Sequence, residues 1–153
     1  PNRKYFLEKL QESLEWSEHN NSLLGLLFID LDGFKQVNDT LGHEMGDRLL
    51  VTVAERLNNI LRNSDTVARL GGDEFTIILS GIPDMEIISA ISKKVLCTLS
   101  EPILLGTNIA NISASIGISI YPNNSRNADI MIRQADAAMY HAKRSGKNCF
   151  RFA

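Results

Sequence analysis

The sequence has few of the features that would assign it to a special class. Its 153 residues include only two cysteines. Cys97 falls in an apolar stretch of helical spacing and Cys149 in an apolar run near the end, and their separation fits no metal-ligand spacing, which excludes a disulfide framework or a zinc site of the usual kind. Both are expected to be reduced packing residues of a cytosolic chain. No apolar run reaches the roughly 20 residues that a membrane span requires, and no signal-peptide layout opens the chain. Sixteen basic against eighteen acidic residues leave a net charge of -2. That balance gives no global attraction for nucleic acid or an anionic membrane surface. An anionic ligand would therefore have to be held by local cations or by a metal ion. The abrupt opening at Pro1-Asn2-Arg3 suggests a piece excised from something longer.

What is present suits a single globular domain, with 44% hydrophobic residues in a length able to bury a core. Between Tyr5 and Trp16, residues Phe6, Leu10 and Leu14 share one face with Leu7 alongside, and Glu8, Lys9, Glu12 and Glu15 cover the other, which is helical spacing. Asn20-Asn21-Ser22 breaks that helix. The unbroken apolar run Leu23 to Ile29 then reads as a strand buried on both faces that ends at Asp30. From Gly46, the residues Leu49, Leu50, Val53, Ala54, Leu57, Ile60 and Leu61 predict a second helix closing around Arg62-Asn63-Ser64. Thr66 to Leu70 and Phe75 to Leu79 read as a hairpin around Gly71-Gly72. Asp84 suits the cap of a third helix carrying Ile87, Ile88, Ile91, Val95 and Leu99.

Glu101 to Leu105 and Ile109 to Tyr121 read as two more strands around Gly106. In the second, Ile112, Ala114, Ile116, Ile118 and Ile120 alternate with Ser113, Ser115, Gly117 and Ser119, which predicts one buried face. Asn127 or Asp129 caps a fourth helix with Ile132, Ala135, Met139 and Ala142, and Cys149 to Phe152 forms a last strand. The interleaved order suits an α/β (α+β) fold, one mixed sheet with helices packed upon it.

Chemistry concentrates where the apolar patterns stop. The first strand runs into Asp30-Leu31-Asp32, whose carboxylates, two apart on an extended backbone, point the same way. They are either a solvated strand end or part of a site for magnesium, which takes oxygen ligands and leaves positions for water and substrate phosphates. The hairpin carries Asp73 and Glu74 after two glycines, a pattern that serves equally as ordinary turn chemistry and as a close approach of ligand to backbone. Were the first strand beside the hairpin, these acids would share a rim with Asp30 and repel one another unless a cation neutralised them. The link Phe34 to Asp47 is rich in polar groups. Asn38 and Asp47 together could read the edge of a base such as guanine, or they could serve as cap and turn residues; His43 beside Gly42 reads as a surface turn residue. Lys143, Arg144 and Lys147 around Gly146 suit a helix C-terminus and could also bind a triphosphate.

Together these segments resemble the GGDEF family, diguanylate cyclases that join two GTP molecules into cyclic di-GMP. The likeness runs nearly the whole chain: PNRKYF, FIDLDGFKQVNDTLGHEMGD, ARLGGDEF, SASIGIS and ADAAMYHAKRSGKN stand in the family's order. The resemblance implies a central, mainly antiparallel five-stranded sheet of the nucleotide-cyclase or palm type with the hairpin at its active site. It also implies that residues 1–153 are one such domain of a longer, multidomain signalling protein.

By the same resemblance, Asp30 and the backbone carbonyl of Leu31 hold magnesium, with manganese as a substitute, together with Asp73 and Glu74, which also carry proton transfer. Asn38, His43, Asp47, Gly71, Gly72, Lys143 and Lys147 would contact substrate, and Arg62 and Asp65 of RNSD match an inhibitory site for the product. Lys147 departs from the family's usual arginine, keeping the charge but not the bidentate fork. The segment that normally precedes PNR is also absent. The implied partners are GTP, cyclic di-GMP, a second copy of the domain for catalysis and an upstream sensor, with a downstream EAL phosphodiesterase domain as an open alternative, and with no nucleic acid and no direct membrane contact. The expected location is cytoplasmic. A regulatory GTP-binding module beside an EAL domain is the alternative, suggested by DLDGFKQVNDTLGH and EPILLG; a cyclase using ATP is disfavoured by Asp47.

Overall fold

The apolar run after Asn20-Asn21-Ser22 forms the middle of the sheet. A computed structural model, which describes residues 3–153, places β1 (Leu23–Asp32) at the centre. Pro1 and Asn2, with which PNRKYF opens, lie outside the described residues. On one side β1 pairs antiparallel with β3 (Glu74–Ile82), and β3 with β2 (Thr66–Gly71). On the other it pairs antiparallel with β6 (Ser113–Tyr121), beyond which β7 (Cys149–Phe152) runs parallel to β6. The order β2-β3-β1-β6-β7 is the mixed, mainly antiparallel five-stranded sheet expected. The helices are α1 (Arg3–Asn20), α2 (Phe34–Leu41), α3 (His43–Ile60), α4 (Met85–Ser100) and α5 (Ala128–Arg144), and β4 (Ile103–Leu105) and β5 (Asn108–Ala110) form a separate ribbon.

Strand side chains alternate between faces, so β1 supplies two cores. Leu27, Ile29 and Leu31 pack with Leu49, Val53 and Leu57 of α3 and Ile88, Val95 and Leu99 of α4. Leu24, Leu26 and Phe28 pack with Phe6 and Leu10 of α1 and Met131, Ala135 and Met139 of α5. Each fully buried Leu or Ile stabilises by about 1.5–3 kcal/mol. The sheet is a rigid floor with helices above and below.

The alternation in β6 was expected to leave its serine and glycine face open, and the structure corrects this. Ser115 and Ser119 are fully buried beneath α5. Small residues stand there because helix backbone lies directly on them: a Cβ at Gly117 would overlap the Ala135 carbonyl and the Met139 amide. Ser119 Oγ donates to the Met131 carbonyl at 2.8 Å.

Other boundaries shift for local reasons. The strand expected over Ile109 to Tyr121 is interrupted at Asn111-Ile112, because β5 pairs with β4 while β6 joins the main sheet. The polar link from Phe34 to Asp47 is mostly helical: α2 buries only Val37, too little to mark it by periodicity, and Gly42, with φ of 92°, separates it from α3, which begins at His43 rather than Gly46. Asp84 caps α4, accepting from the amides of Glu86 and Ile87, and Asn127 rather than Asp129 supplies the side-chain cap of α5. Both cysteines are free, but Cys97 is exposed on α4 instead of packed, and Cys149 is half-buried. No helix among the described residues is long and apolar enough to cross a membrane.

Since α5 rests on Gly117 without room for a methyl group, Gly117→Ala is expected to destabilise the domain by about 3 kcal/mol. Urea unfolding measures this; a midpoint equal to that of the parent chain would contradict the close seating of α5.

Candidate active site at the hairpin rim

Between β2 and β3 the turn consists of Gly72 and Asp73. Gly72 has φ of 50°, and a Cβ there would meet nothing within 4 Å, so the left-handed backbone rather than crowding favours glycine. Arg69 Nε donates to the Gly72 carbonyl at 3.0 Å, and the Leu31 amide donates to the Asp73 carbonyl at 3.2 Å. These two bonds hold the turn against the end of β1.

The strand order does bring the acids together. Asp30 stands opposite Glu74 across the β1–β3 pair. Burial and the neighbouring Asp73 push the Asp30 carboxyl up to about 6, with Lys143 opposing. Glu74 is also raised, by burial, by Asp136 of α5 and by Asp73. Asp30 Oδ1 is buried without a hydrogen-bond partner. Among the described residues no group of three or more His, Cys, Asp and Glu is close enough to hold a metal ion unaided. A buried, unpaired carboxylate oxygen beside another acid nevertheless fits a hard cation that completes its shell with water and substrate phosphates.

Asp32, one pleat further on, behaves differently. It is buried and accepts from Ser113 Oγ at 2.8 Å, Ser115 Oγ at 2.9 Å and the Asn148 amide at 3.2 Å. Lys143 Nζ lies 3.2 Å from Asp30 Oδ2 and 3.6 Å from Asp32 Oδ1. Ser113, Ser115 and Asn148 were absent from the expected site, and Asp32, paired there with Asp30 as a possible magnesium carboxylate, is instead held by these three donors. Their signal was available in the shared face of Asp30 and Asp32 and the serines of SASIGIS.

The remaining expected substrate residues lie outside this acid cluster. The Asn38 side chain packs against Gly46, where a Cβ would overlap its Oδ1, and the Gly42 amide donates to the Asn38 backbone carbonyl at 2.9 Å. Gly46 thus matters for seating Asn38, and no signal in the sequence singled it out. Asp47 is exposed and lines a depression of about 340 Å³ with Glu44, Arg48 and Leu104. His43 opens α3 and Lys147 sits in the turn after α5, both exposed. At the other end of β3, roughly 20 Å from Glu74 by strand rise, Arg62 donates through Nε and Nη2 to the Asp65 carboxylate and through Nη2 to the Ser80 carbonyl. A groove of about 610 Å³ runs from Arg62 past Ser80 and Gly81 to Lys9 and Trp16 of α1.

The central strand and the hairpin of this mixed α/β domain meet in an acidic rim. The chain belongs to the GGDEF family: the family model described as diguanylate cyclase, GGDEF domain, matches residues 1–149. It is 40% identical over 152 residues to MucR of Pseudomonas aeruginosa, a bifunctional diguanylate cyclase/cyclic di-GMP phosphodiesterase, covering 99% of this chain and 22% of MucR. The crystal structure of the GGDEF domain of PA1120 (YfiN or TpbB) from the same organism superposes with a TM-score of 0.97 at 38% identity, covering 100% of this chain and 96% of that one. The coiled coil and GGDEF domain of DgcB from Caulobacter crescentus, solved in complex with c-di-GMP, gives 0.87 at 29% identity, covering 99% and 81%.

The raised Asp30 carboxyl has a stability consequence. Between about pH 4 and 6 the folded chain keeps a proton that the unfolded chain has released, so this stabilising contribution is complete below the unfolded pKa and lost as pH rises through 6. Without metal, Asp30→Asn is expected to raise the melting temperature by a few degrees at pH 7.5, the gain shrinking toward zero near pH 4. A gain independent of pH, or a loss at pH 7.5, would contradict the assignment.

Proposed function

We propose that the chain is a diguanylate cyclase domain that condenses two GTP molecules into cyclic di-GMP. The observation that carries this is the unpaired Asp30 oxygen beside the hairpin acids in the GGDEF turn, faced by the Lys143 ammonium. Magnesium, or manganese, held by Asp30, the Leu31 carbonyl, Asp73 and Glu74, supplies neutralisation of the triphosphate when bound. Asn38 and Asp47 read the guanine edge, Asp47 as the acceptor that disfavours adenine, and His43 adds a further contact. Gly71 and Gly72 let the nucleotide approach the turn, and Lys143 and Lys147 pair with phosphate oxygens, Lys147 without arginine's fork.

Each domain holds one GTP, so two domains face each other. The 3′-oxygen of one nucleotide bonds to the α-phosphorus of the other as the bond to pyrophosphate breaks, in two such steps per product. The proton of the attacking hydroxyl passes to a hairpin acid; the raised Glu74 carboxyl brings its basicity nearer to the working pH. The domain is a piece of a longer cytoplasmic signalling protein under an upstream sensor. Its product restrains it at Arg62 and Asp65, where an exposed guanidinium beside a groove suits guanine.

A relative of 37% identity named as a cyclic di-GMP phosphodiesterase alone, of which this chain spans about a fifth, favours a second reading, a GTP-binding module that regulates an adjacent EAL phosphodiesterase.

A leucine-zipper fusion that enforces dimerisation is expected to convert GTP and Mg²⁺ into cyclic di-GMP, and Asp73→Asn to lower the rate by about 100-fold or more. GTP binding without product by the fused dimer would favour the regulatory reading. Arg62→Ala is expected to weaken cyclic di-GMP binding by about tenfold or more, since charged hydrogen bonds are lost. Calorimetry showing unchanged affinity would remove the inhibitory assignment.

A further inference from the structure

Lys143 is paired with carboxylates, although its proposed role is to meet a phosphate. Its ammonium bridges Asp30 Oδ2 at 3.2 Å and Asp32 Oδ1 at 3.6 Å. The two carboxylates are unequal. Asp32 is held by two hydroxyls and a backbone amide, and that amide belongs to Asn148, one of two consecutive left-handed residues in the turn after α5. Asp30 has an unpaired buried oxygen and an acid for a neighbour. One carboxylate is fixed and satisfied; the other, paired with the lysine through Oδ2, keeps Oδ1 without a hydrogen bond.

We propose that Lys143 is a displaceable counter-ion, neutralising Asp30 in the absence of a divalent cation while Asp32 tethers the ammonium at the rim. A cation that ligates Asp30 takes over the neutralisation of its charge and repels the ammonium held at Oδ2, and the tether keeps the freed ammonium where a triphosphate arrives. The four-carbon stem allows that exchange without backbone movement. The last turn of α5, whose carbonyl end attracts cations, favours the retained position. Metal alone therefore binds against a competitor, and metal with a triphosphate does not, because the phosphate gives Lys143 a new partner. Cation and nucleotide are thereby positively coupled, and the coupling is reciprocal. Asp32 is a positioning residue in this arrangement and touches neither ligand.

The inference rests on the reading of Asp30 as a metal ligand, and the test separates the two. Bound Mn²⁺ is measured by electron paramagnetic resonance, without nucleotide, in the parent domain, Lys143→Met, Lys143→Gln, Lys143→Arg and Asp30→Asn. Lys143→Met, or Lys143→Gln should methionine not fold, is expected to bind Mn²⁺ about fivefold more tightly. Lys143→Arg is expected to retain the weaker parental binding, and Asp30→Asn to abolish it. Equal or weaker binding by the neutral variants, with binding still lost in Asp30→Asn, overturns the counter-ion and leaves the metal reading standing. Binding that survives Asp30→Asn, or that no chain shows, overturns both.

Discussion

The face of β6 formed by Ser113, Ser115, Gly117 and Ser119 sets how close α5 lies to the sheet, and the acidic rim depends on that closeness. Gly117 admits the helix backbone, and Ser119 fastens it through the Met131 carbonyl. The C-terminal turn of the same helix carries Lys143 over Asp30 and Asp32. Ser113 and Ser115 serve twice, being small enough to lie near the helix and polar enough to satisfy a buried carboxylate. Bulkier residues would lift α5 and take the one with the other: the packing and the charge balance are the same contact.

Two aspartates on one strand face meet opposite fates because of what lies across from them. Ser115 stands opposite Asp30 in the β1–β6 register, yet its hydroxyl donates to Asp32. Asp32 therefore gathers the neutral donors and Asp30 receives only part of a lysine. Burial and Asp73 then raise the Asp30 carboxyl, and Glu74 is raised beside Asp136. A cluster of like charge held by a rigid sheet is unfavourable until something positive enters. That arrangement fits a binding site better than a stabilising network, since a group selected for stability alone would have been given the partners Asp32 has.

Much of this was legible in the order of residues. The apolar run at Leu23 to Ile29 marked β1 as a strand buried on both faces and Gly71-Gly72 marked the hairpin, while the strand order that brings Asp73 beside Asp30 came from the structure. What could not be read depended on partners distant in sequence. The serines of SASIGIS looked like a solvent face because alternation reports that two faces differ in size and polarity, not which of them is covered. The helix Phe34–Leu41 escaped because one buried valine gives no periodic stripe. Asp32 reads as equivalent to Asp30 because the two share a face, and donors 81, 83 and 116 residues away distinguish them.

The RNSD segment and the GGDEF turn lie at opposite ends of β3, and the strand between them constrains how one could affect the other. Phe75 to Leu79 are buried without interruption, and β3 is paired on both edges. A strand held in this way has no second register without turning its apolar side chains to the opposite face. A ligand at Arg62 therefore has no bistable element within the strand through which to reshape the Gly72-Asp73 turn. Arg62 itself donates to the Ser80 carbonyl, on the stretch of β3 nearest the groove, and Trp16 of α1 lies over Gly81 on the same side. Under the product-binding reading proposed above, restraint would have to act through bodies joined across that groove, by limiting where a second domain can stand relative to this rim, with the geometry of the acids unchanged.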